Sequence, residues 1–509
     1  MKLKLTIRNT NFIVEVYDEI IYDIIDIAKR YLLTHSLTYD HRLKRNVKKP
    51  KDLYMLSFDK QGVYVFNINN LKDIISLLKR HGISKEDIEI HFEKDYDIKK
   101  INLTTDPKFI LRPYQRTYVD IIKTSKHVYN FIDLPTGMGK SAIASFAVVE
   151  LNCKTMIIVL PRYMVKWKED LHKYTDIKDS EIYFINGSTR FKKYMELNIE
   201  GIDDHKVVIV STRTLHNYFK EYNEYFTNDD VFTYPIEPFD LMEMLKIGTI
   251  LNDETHQEFH LVYRAMLYFN VKRFIGSSAT LDSNDSDMRK MYNYMFPTET
   301  RVTNIVEAPK YIDVTAVGYH IDNLRGIQWK RNFGYNHILF EQTLIKKPKL
   351  LKSYLEMLDY YIKSVFIDNR TKKDKALVFA ATVDMCSIMT SYFRKQYNDL
   401  DVNRYVEDDS LDNLHNSDIV FSTVISSGTA HDIENLKSVF QTISIGSLQA
   451  NKQARGRLRY RDDTDLDYYY FYCKDISKQV ALHKTRYNVL RSTSKSYRFI
   501  DHPKTLRSN

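Results

Sequence analysis

The chain has 509 residues, 43% of them hydrophobic, with 75 Lys and Arg against 66 Asp and Glu, a net charge of +9. That length exceeds one hydrophobic core and predicts two or three domains. Three scattered cysteines without a CxxC pair exclude a disulfide framework or zinc ribbon, and no apolar run approaches the ~20 residues of a membrane span. The basic balance is compatible with a polyanionic partner but does not require one.

The opening MKLKLTIRNTNF alternates polar and apolar residues, which predicts a strand and not a signal peptide; a soluble cytoplasmic protein is expected. Ile21, Ile24, Ile25, Ala28 and Leu32 follow at helical spacing. The basic stretch HRLKRNVKKPK, with Arg42, Lys44, Arg45, Lys48, Lys49 and Lys51, reads as a solvated loop or as an arm contacting phosphates. LYMLSF and VYVFNI then predict a hairpin turning through Lys60-Gln61-Gly62, and Leu71, Ile74, Ile75 and Leu78 a further helix. Residues 1–105 are therefore expected to form a small α+β domain.

From Leu111 the pattern changes. VYNFI, TMIIVLP, VVIVST, GTILND and RFIGSSA alternate with amphipathic helices, which predicts βα units on a parallel sheet over residues 106–310. Residues 311–345 are less regular and read as a linker. KALVFAAT, SDIVFST, SVFQTISI and YYYFYC give a second α/β domain over 346–480. The aromatic run Tyr468 to Tyr472 is expected to be a strand covered on both faces rather than a base-stacking platform. Residues 481–509 form a basic tail, a helix or a frayed end. The fold class expected is α/β, with two tandem parallel-sheet domains after a small α+β domain.

FIDLPTGMGKSAIASF, Phe131 to Phe146, carries the first chemistry. A buried strand ends in Pro135-Thr136-Gly137-Met138-Gly139, and Lys140 and Ser141 open a helix. Glycines let successive backbone N–H groups turn inward, and together with a helix N-terminus they make an anion nest. Lys140 can reach the β/γ-phosphates of a nucleotide and Ser141 can ligate Mg²⁺. Leu134 stands where the strict phosphate loop has glycine. GTILNDETHQ supplies the carboxylates such a loop needs, at the C-terminal end of a strand. Asp253 would hold Mg²⁺ through water, and Glu254 would orient and deprotonate the attacking water. His256 and His260 are four apart, but HQEFH is not HExxH, so zinc is not expected there.

In family order these segments resemble the motifs of a superfamily 2 helicase or translocase, over Leu111 to Cys473. LRPYQ, with Gln115, resembles the adenine-reading motif upstream of the phosphate loop. LPTGMGKS resembles motif I; VLPRYMVKWKEDL motif Ia, with Pro161, Arg162 and Trp167; VVIVSTRTL motif Ib, with Ser211 and Thr212. DETH resembles motif II, with Asp253, Glu254 and His256, and GSSATL motif III, with Ser278, Ala279 and Thr280. ALVFAAT resembles motif IV, FSTVISSGTAHDI motif V, with Asp432, and QARGRLRYR motif VI, with Gln453, Gly456 and Arg457. The resemblance implies two RecA-like domains, ATP and Mg²⁺ as cofactors, and an ATP site in the cleft between the domains. Thr136, Gly137, Met138, Gly139, Lys140 and Ser141 would bind the nucleotide with Gln115. Arg457 would act with Gln453 as the arginine finger, and His256, Ser278, Thr280 and Asp432 would couple hydrolysis to movement. Pro161, Arg162, Ser211, Thr212 and the basic Arg42, Lys44 and Arg45 would meet nucleic acid. Two positions depart from the pattern. Ala430 replaces the usual Gly of motif V. Tyr460 stands where the second arginine of motif VI falls, so Arg459, Arg461 or neither takes that place.

DETH and Q-x-x-G-R differ from DEAD-box RNA helicases. The short N-terminal unit, the compact length and IENL after motif V resemble the phage UvsW-type branch-migration helicases, related to the RecG and XPB lines. That resemblance implies unwinding of forked or branched DNA in replication, recombination and repair; a phage-encoded monomer acting away from membranes in the host cytoplasm is expected. The alternatives are a remodeller-like or restriction-type duplex translocase that does not separate strands, and a binding scaffold without turnover. RNA stays open as a substrate, because contacts to phosphates do not distinguish it.

Overall fold

A computed structural model of the chain describes residues 2–40, 45–56, 62–135, 137–228, 231–278, 281, 286–303, 305, 310–331, 334–406, 409–424, 433–446, 448–461 and 463–508. It divides into two compact units: Met1–Pro135 with Gly139–Val306, and Thr136–Met138 with Glu307–Asn509.

The first unit contains two sheets. The N-terminal one is mixed, in the order Tyr54–Leu56, Val63–Asn67, Asn11–Val16, Leu3–Ile7, Ile88–Phe92; its last pair is parallel and the others antiparallel. Alternation fixes which face is inside: Leu3 and Leu5 are buried, while Lys4 between them is only half-buried. The helix Glu19–Tyr31 starts at Asp18, whose carboxylate accepts from Ile20 N, and packs Ile21, Ile24, Ile25 and Ala28 inward. Part of the basic stretch is neither loop nor free arm. Arg45–Asp52 is a strand pairing antiparallel with Leu33–Asp40, with Thr34 opposite Lys51. Residues 41–44, with Arg42 and Lys44, and residues 57–61, with Lys60 and Gln61 of the expected turn, lie outside the described residues.

The second sheet of this unit has seven parallel strands: Ile182–Ile185, Val207–Ser211, Thr155–Val159, Thr249–Asp253, Arg273–Ser278, Tyr129–Asp133, Arg301–Val302. Its inner strands are almost wholly buried, as continuous Val/Ile runs require when helices cover both faces. The two sheets share one apolar cluster, in which Phe12, Val65 and Phe66 join Tyr129, Phe259 and Phe274. Polar bonds cross the same junction. Tyr129 Oη donates to Thr10 O at 2.9 Å and accepts from Asn67 Nδ2 at 2.9 Å, and Asn11 Nδ2 donates to Met266 O and Phe269 O, both at 3.2 Å. The change near residue 105 is therefore one of sheet and not of core.

The second unit holds another seven-stranded parallel sheet: Val402–Tyr405, Ile419–Thr423, Lys375–Ala380, Leu436–Gln441, Leu466–Cys473, Ile312–Tyr319, Ser496–Asp501. Two segments differ from expectation. Ile312–Tyr319, inside the expected linker 311–345, is an inner strand, and His337–Ile345 in the same segment is a helix. The expected tail contributes most of the helix Ser477–Leu490 and the edge strand Ser496–Asp501. The aromatic run is a strand with every ring from Tyr468 to Tyr472 buried. Apolar clusters cover both faces of this sheet.

Candidate active site

The strand Tyr129–Asp133 delivers the chain to a turn in which Gly137 and Gly139 have φ of +89° and +85°. Gly139 stands immediately before the helix Lys140–Leu151. A side chain there would be doubly excluded, because the backbone is left-handed and a Cβ would lie 2.2 Å from Gln115 Nε2. Gln115 is buried against this turn, and its Oε1 accepts from Arg112 N at 2.9 Å. Lys140 Nζ donates to Leu134 O at 3.2 Å, the carbonyl at the start of the turn.

The acidic pair ends the strand Thr249–Asp253, and the strand Arg273–Ser278 separates it from the strand of the turn. In the parallel register Asp253 lies beside Ser277. Asp253 is held by three donors: Ser277 Oγ at 2.6 Å and Glu254 N at 3.0 Å on Oδ1, and Trp167 Nε1 at 3.1 Å on Oδ2. Glu254 has φ +50°, a left-handed backbone that a non-glycine residue rarely adopts. Thr255 pins the turn, donating to Asn252 O at 2.9 Å and accepting from Ser277 N at 3.1 Å. The Ala of a DEAH sequence has no hydroxyl for either bond. His256 Nδ1 lies 2.7 Å from Ser278 Oγ and 3.3 Å from Glu254 Oε2. Burial and the charge of Lys140 push its pKa down to about 4, against the pull of Asp253, so the ring is neutral at pH 7.

The helix Met164–Tyr174 ties these parts together. Lys166 Nζ is 3.4 Å from Ser141 Oγ and 2.6 Å from Asp170, and the next residue is Trp167. Just before this helix, the exposed Arg162 donates to Gln257 Oε1 at 3.1 Å. Pro161 is also exposed, whereas Ser211 and Thr212 are buried. Ser211 Oγ accepts from Thr214 N at 3.2 Å and lies 2.7 Å from Thr214 Oγ1. Its hydroxyl thus caps the helix Thr212–Asn228.

In the second unit Gln453 lies on the helix Leu448–Arg455, and Arg457 just beyond it is buried. Arg461 donates to Asp374 Oδ1 at 2.8 Å, to Asn435 O at 3.1 Å and through two nitrogens to Asp463. With Asp374 1% exposed, this is a structural ion pair, and Arg461 is engaged away from any finger role. Arg459 donates to Gly456 O, and Tyr460 is exposed with its ring against Tyr311. Met138 is buried. Thr136, Ala279, Thr280, Ala430 and Asp432 lie outside the described residues, and of Arg45 only the backbone strand is described.

The sequence pattern had no role for Lys166, Ser277 or Thr255, and counted Trp167 only as part of a motif. Trp167 falls on the apolar face with Met164, Leu171 and Tyr174 and reads as core. The signal lay in its chemistry, since a buried indole N–H needs an acceptor.

Residues 108–283 match the family model of the type III restriction enzyme, res subunit. No curated protein sequence matches the chain. Among solved structures, Mss116p, lacking its NTE and C-tail and bound to ssRNA and AMP-PNP, is similar at a TM-score of 0.53 and 15% identity, over 78% of this chain and 76% of that one. T4 UvsW is similar at a TM-score of 0.38 and 14% identity, over 98% and 100%. A putative HsdR subunit of a type I restriction enzyme from Vibrio vulnificus YJ016 is similar at 0.49 and 14%, over 97% and 88%. With two all-parallel sheets after a small mixed one, the chain has the fold of tandem RecA-like domains, and a segment of the first of these domains matches the res-subunit family model.

Proposed function

We propose that the chain is an ATP-dependent DNA helicase that unwinds and branch-migrates forked or branched DNA in replication, recombination and repair. The observation that carries the ATP reading is the helix Met164–Tyr174, whose consecutive Lys166 and Trp167 touch Ser141 after the glycine turn and Asp253 on the acidic strand. The residues present fit Mg²⁺ with a triphosphate. A carboxylate and a hydroxyl are the hard oxygen donors Mg²⁺ takes, and the left-handed Gly139 before a helix N-terminus gives the glycine turn of a phosphate site, which a Cβ there would disrupt by colliding with Gln115.

In this reading Ser141 and Asp253 hold the metal, which when bound neutralises phosphate charge in the transition state. Lys140 exchanges its bond to Leu134 O for the β/γ-phosphates. Glu254 orients and deprotonates the attacking water, and neutral His256 links it to Ser278 at the end of the intervening strand. Gln115 supports the turn from behind and contributes to nucleotide binding with Thr136, Gly137 and Met138. Arg457, with Gln453, stabilises charge on the γ-phosphate. Arg459 is the remaining candidate for the second arginine. Thr280 and Asp432 are assigned to coupling through the motif resemblance. Pro161 and Arg162, with Arg42, Lys44 and Arg45 of residues 1–105, contact phosphates; the exposed Lys48, Lys49 and Lys51 extend that basic strand. The preference for branched DNA rests on the likeness of motifs and N-terminal unit to UvsW-type enzymes.

A second reading, a duplex translocase that does not separate strands, is favoured by the restriction-enzyme family model on the first sheet domain. The test is the ATPase rate with no nucleic acid, single-stranded DNA, linear duplex, forked DNA, four-way DNA and RNA. Strongest stimulation by forked or four-way DNA, with strand displacement, is the expected result. Stimulation by plain duplex without displacement selects the translocase, preference for RNA overturns the DNA assignment, and no turnover leaves a scaffold.

A further inference from the structure

Trp167 is 1% exposed, and its single polar group faces a carboxylate rather than a neutral carbonyl. An ionised carboxylate offers about four acceptor sites. On Asp253 three are engaged by Ser277 Oγ, Glu254 N and Trp167 Nε1. The first two reach one oxygen from its own strand end and the adjacent strand. Only the indole, among the described hydrogen bonds, fixes the other oxygen, and so it sets the rotation of the group while leaving capacity for one further partner. A phenylalanine would keep an aromatic ring on the apolar face of the helix and would not do this.

We infer that Trp167 is the positioning residue of the metal site: its indole N–H orients Asp253 for Mg²⁺. This rests on the reading of Asp253 as a metal ligand. Lys166, one position earlier, reaches Ser141, the other residue assigned to the metal, and Arg162, in the turn before the helix, is exposed and bonded to Gln257. The helix therefore joins both metal-holding side chains to a basic group on the surface. Groups that orient a metal ligand without touching the metal commonly change metal affinity by about 10–100-fold when removed.

The chain has two tryptophans, Trp167 and Trp329, so W329F leaves Trp167 as the sole indole. In that background the full-length protein is titrated with Mg²⁺ while binding of a fluorescent ATP analogue is followed, which needs no turnover. Two variants remove the N–H: W167F, and replacement of Trp167 by benzothienylalanine, an isostere that keeps the bicyclic volume and so the packing. The expected result is a rise of about tenfold in the Mg²⁺ concentration for half-saturation in both variants, with affinity at saturating Mg²⁺ within twofold. Trp167 emission in W329F should also shift when Mg²⁺ joins a non-hydrolysable ATP analogue, and not in EDTA. An unchanged Mg²⁺ requirement in the isosteric variant overturns the inference. D253A separates the two levels. If it abolishes the Mg²⁺ dependence while the isostere does not alter it, Trp167 alone is misassigned; if D253A leaves the dependence intact, the metal reading falls first and the inference with it.

Discussion

Glu254 combines a strained backbone with a half-buried carboxylate beside a neutral histidine. Left-handed backbone at a non-glycine residue costs about 1–3 kcal/mol and persists where neighbouring bonds enforce it. Here the enforcing bonds are those of Asp253 Oδ1 to Glu254 N and of Thr255 to the next strand. The role proposed for this carboxylate is to orient and deprotonate the attacking water. Glu254→Gln keeps size and hydrogen bonding but removes the base. It should lower kcat by about 10²–10⁴-fold and leave ATP affinity within a few-fold, measured by single-turnover hydrolysis beside nucleotide binding. Loss of binding with unchanged single-turnover rate would count against the role. At this scale the motif residues were legible because their chemistry is tied to local spacing. Ser277 and Trp167 were not, because their function comes from a strand register and from a helix 86 residues away in sequence from its acceptor.

The helices and strands of the second unit show why motif IV sits where it does. Glu341, 2% exposed on the helix His337–Ile345, accepts from Ala381 N at 2.9 Å, Thr382 N at 2.7 Å and Thr382 Oγ1 at 2.8 Å. Thr382 in turn caps the helix Val383–Gln396. Burial outweighs these donors and pushes the carboxyl up to about 7. The folded state therefore binds a proton that the unfolded chain has released, between about pH 4.5 and 7. The linked stability is fully present below that window and lost as pH rises through it. Glu341→Gln should flatten this component: between pH 4.5 and 7.5 the wild type should lose stability relative to the variant in paired denaturant titrations. A constant gap across that range would show that Glu341 does not titrate with folding. Elements with Val/Ile runs were readable in the sequence, such as Val207–Ser211 and Thr249–Asp253. Ile312–Tyr319 was missed because Asp313, Ala316 and Gly318 dilute its β signal and its partners lie more than 140 residues downstream. Ser496–Asp501 was missed because an edge strand that is mostly exposed carries no apolar run. The helix before it hides Gln479 and Arg486 in its buried face, where a sequence reading expects apolar residues.

For the whole molecule the excess of positive charge makes a quantitative claim. Each phosphate neutralised on DNA contributes about −0.9 to the slope of log affinity against log salt. Binding to a duplex or a fork should weaken steeply between 50 and 200 mM salt. Replacing Lys48, Lys49 and Lys51 together by Ala should make the slope less negative by up to about three units. Equilibrium binding by anisotropy over that salt range checks it, and an unchanged slope removes these lysines from the interface. The pair of exposed Lys48 with the mostly covered Asp287, 3.8 Å apart, is long and leaves the lysine in solvent, so it is worth at most about 1 kcal/mol and does not hold this strand back from a polyanion.

Tyr129, the first residue of the strand that feeds the glycine turn, has its hydroxyl satisfied entirely from Thr10 and Asn67. A gene shortened to begin near residue 106 would encode every motif and still not encode a finished first unit. It would strip the apolar face that Phe12, Val65 and Phe66 cover and leave a buried phenol without partners. Such a fragment should be recovered in the insoluble fraction on expression to a greater extent than the full chain. The first hundred residues are in that sense an heirloom and not an attachment: a lineage could reshape their outer surface freely, but could not discard or exchange them without rebuilding the strand that leads into the glycine turn.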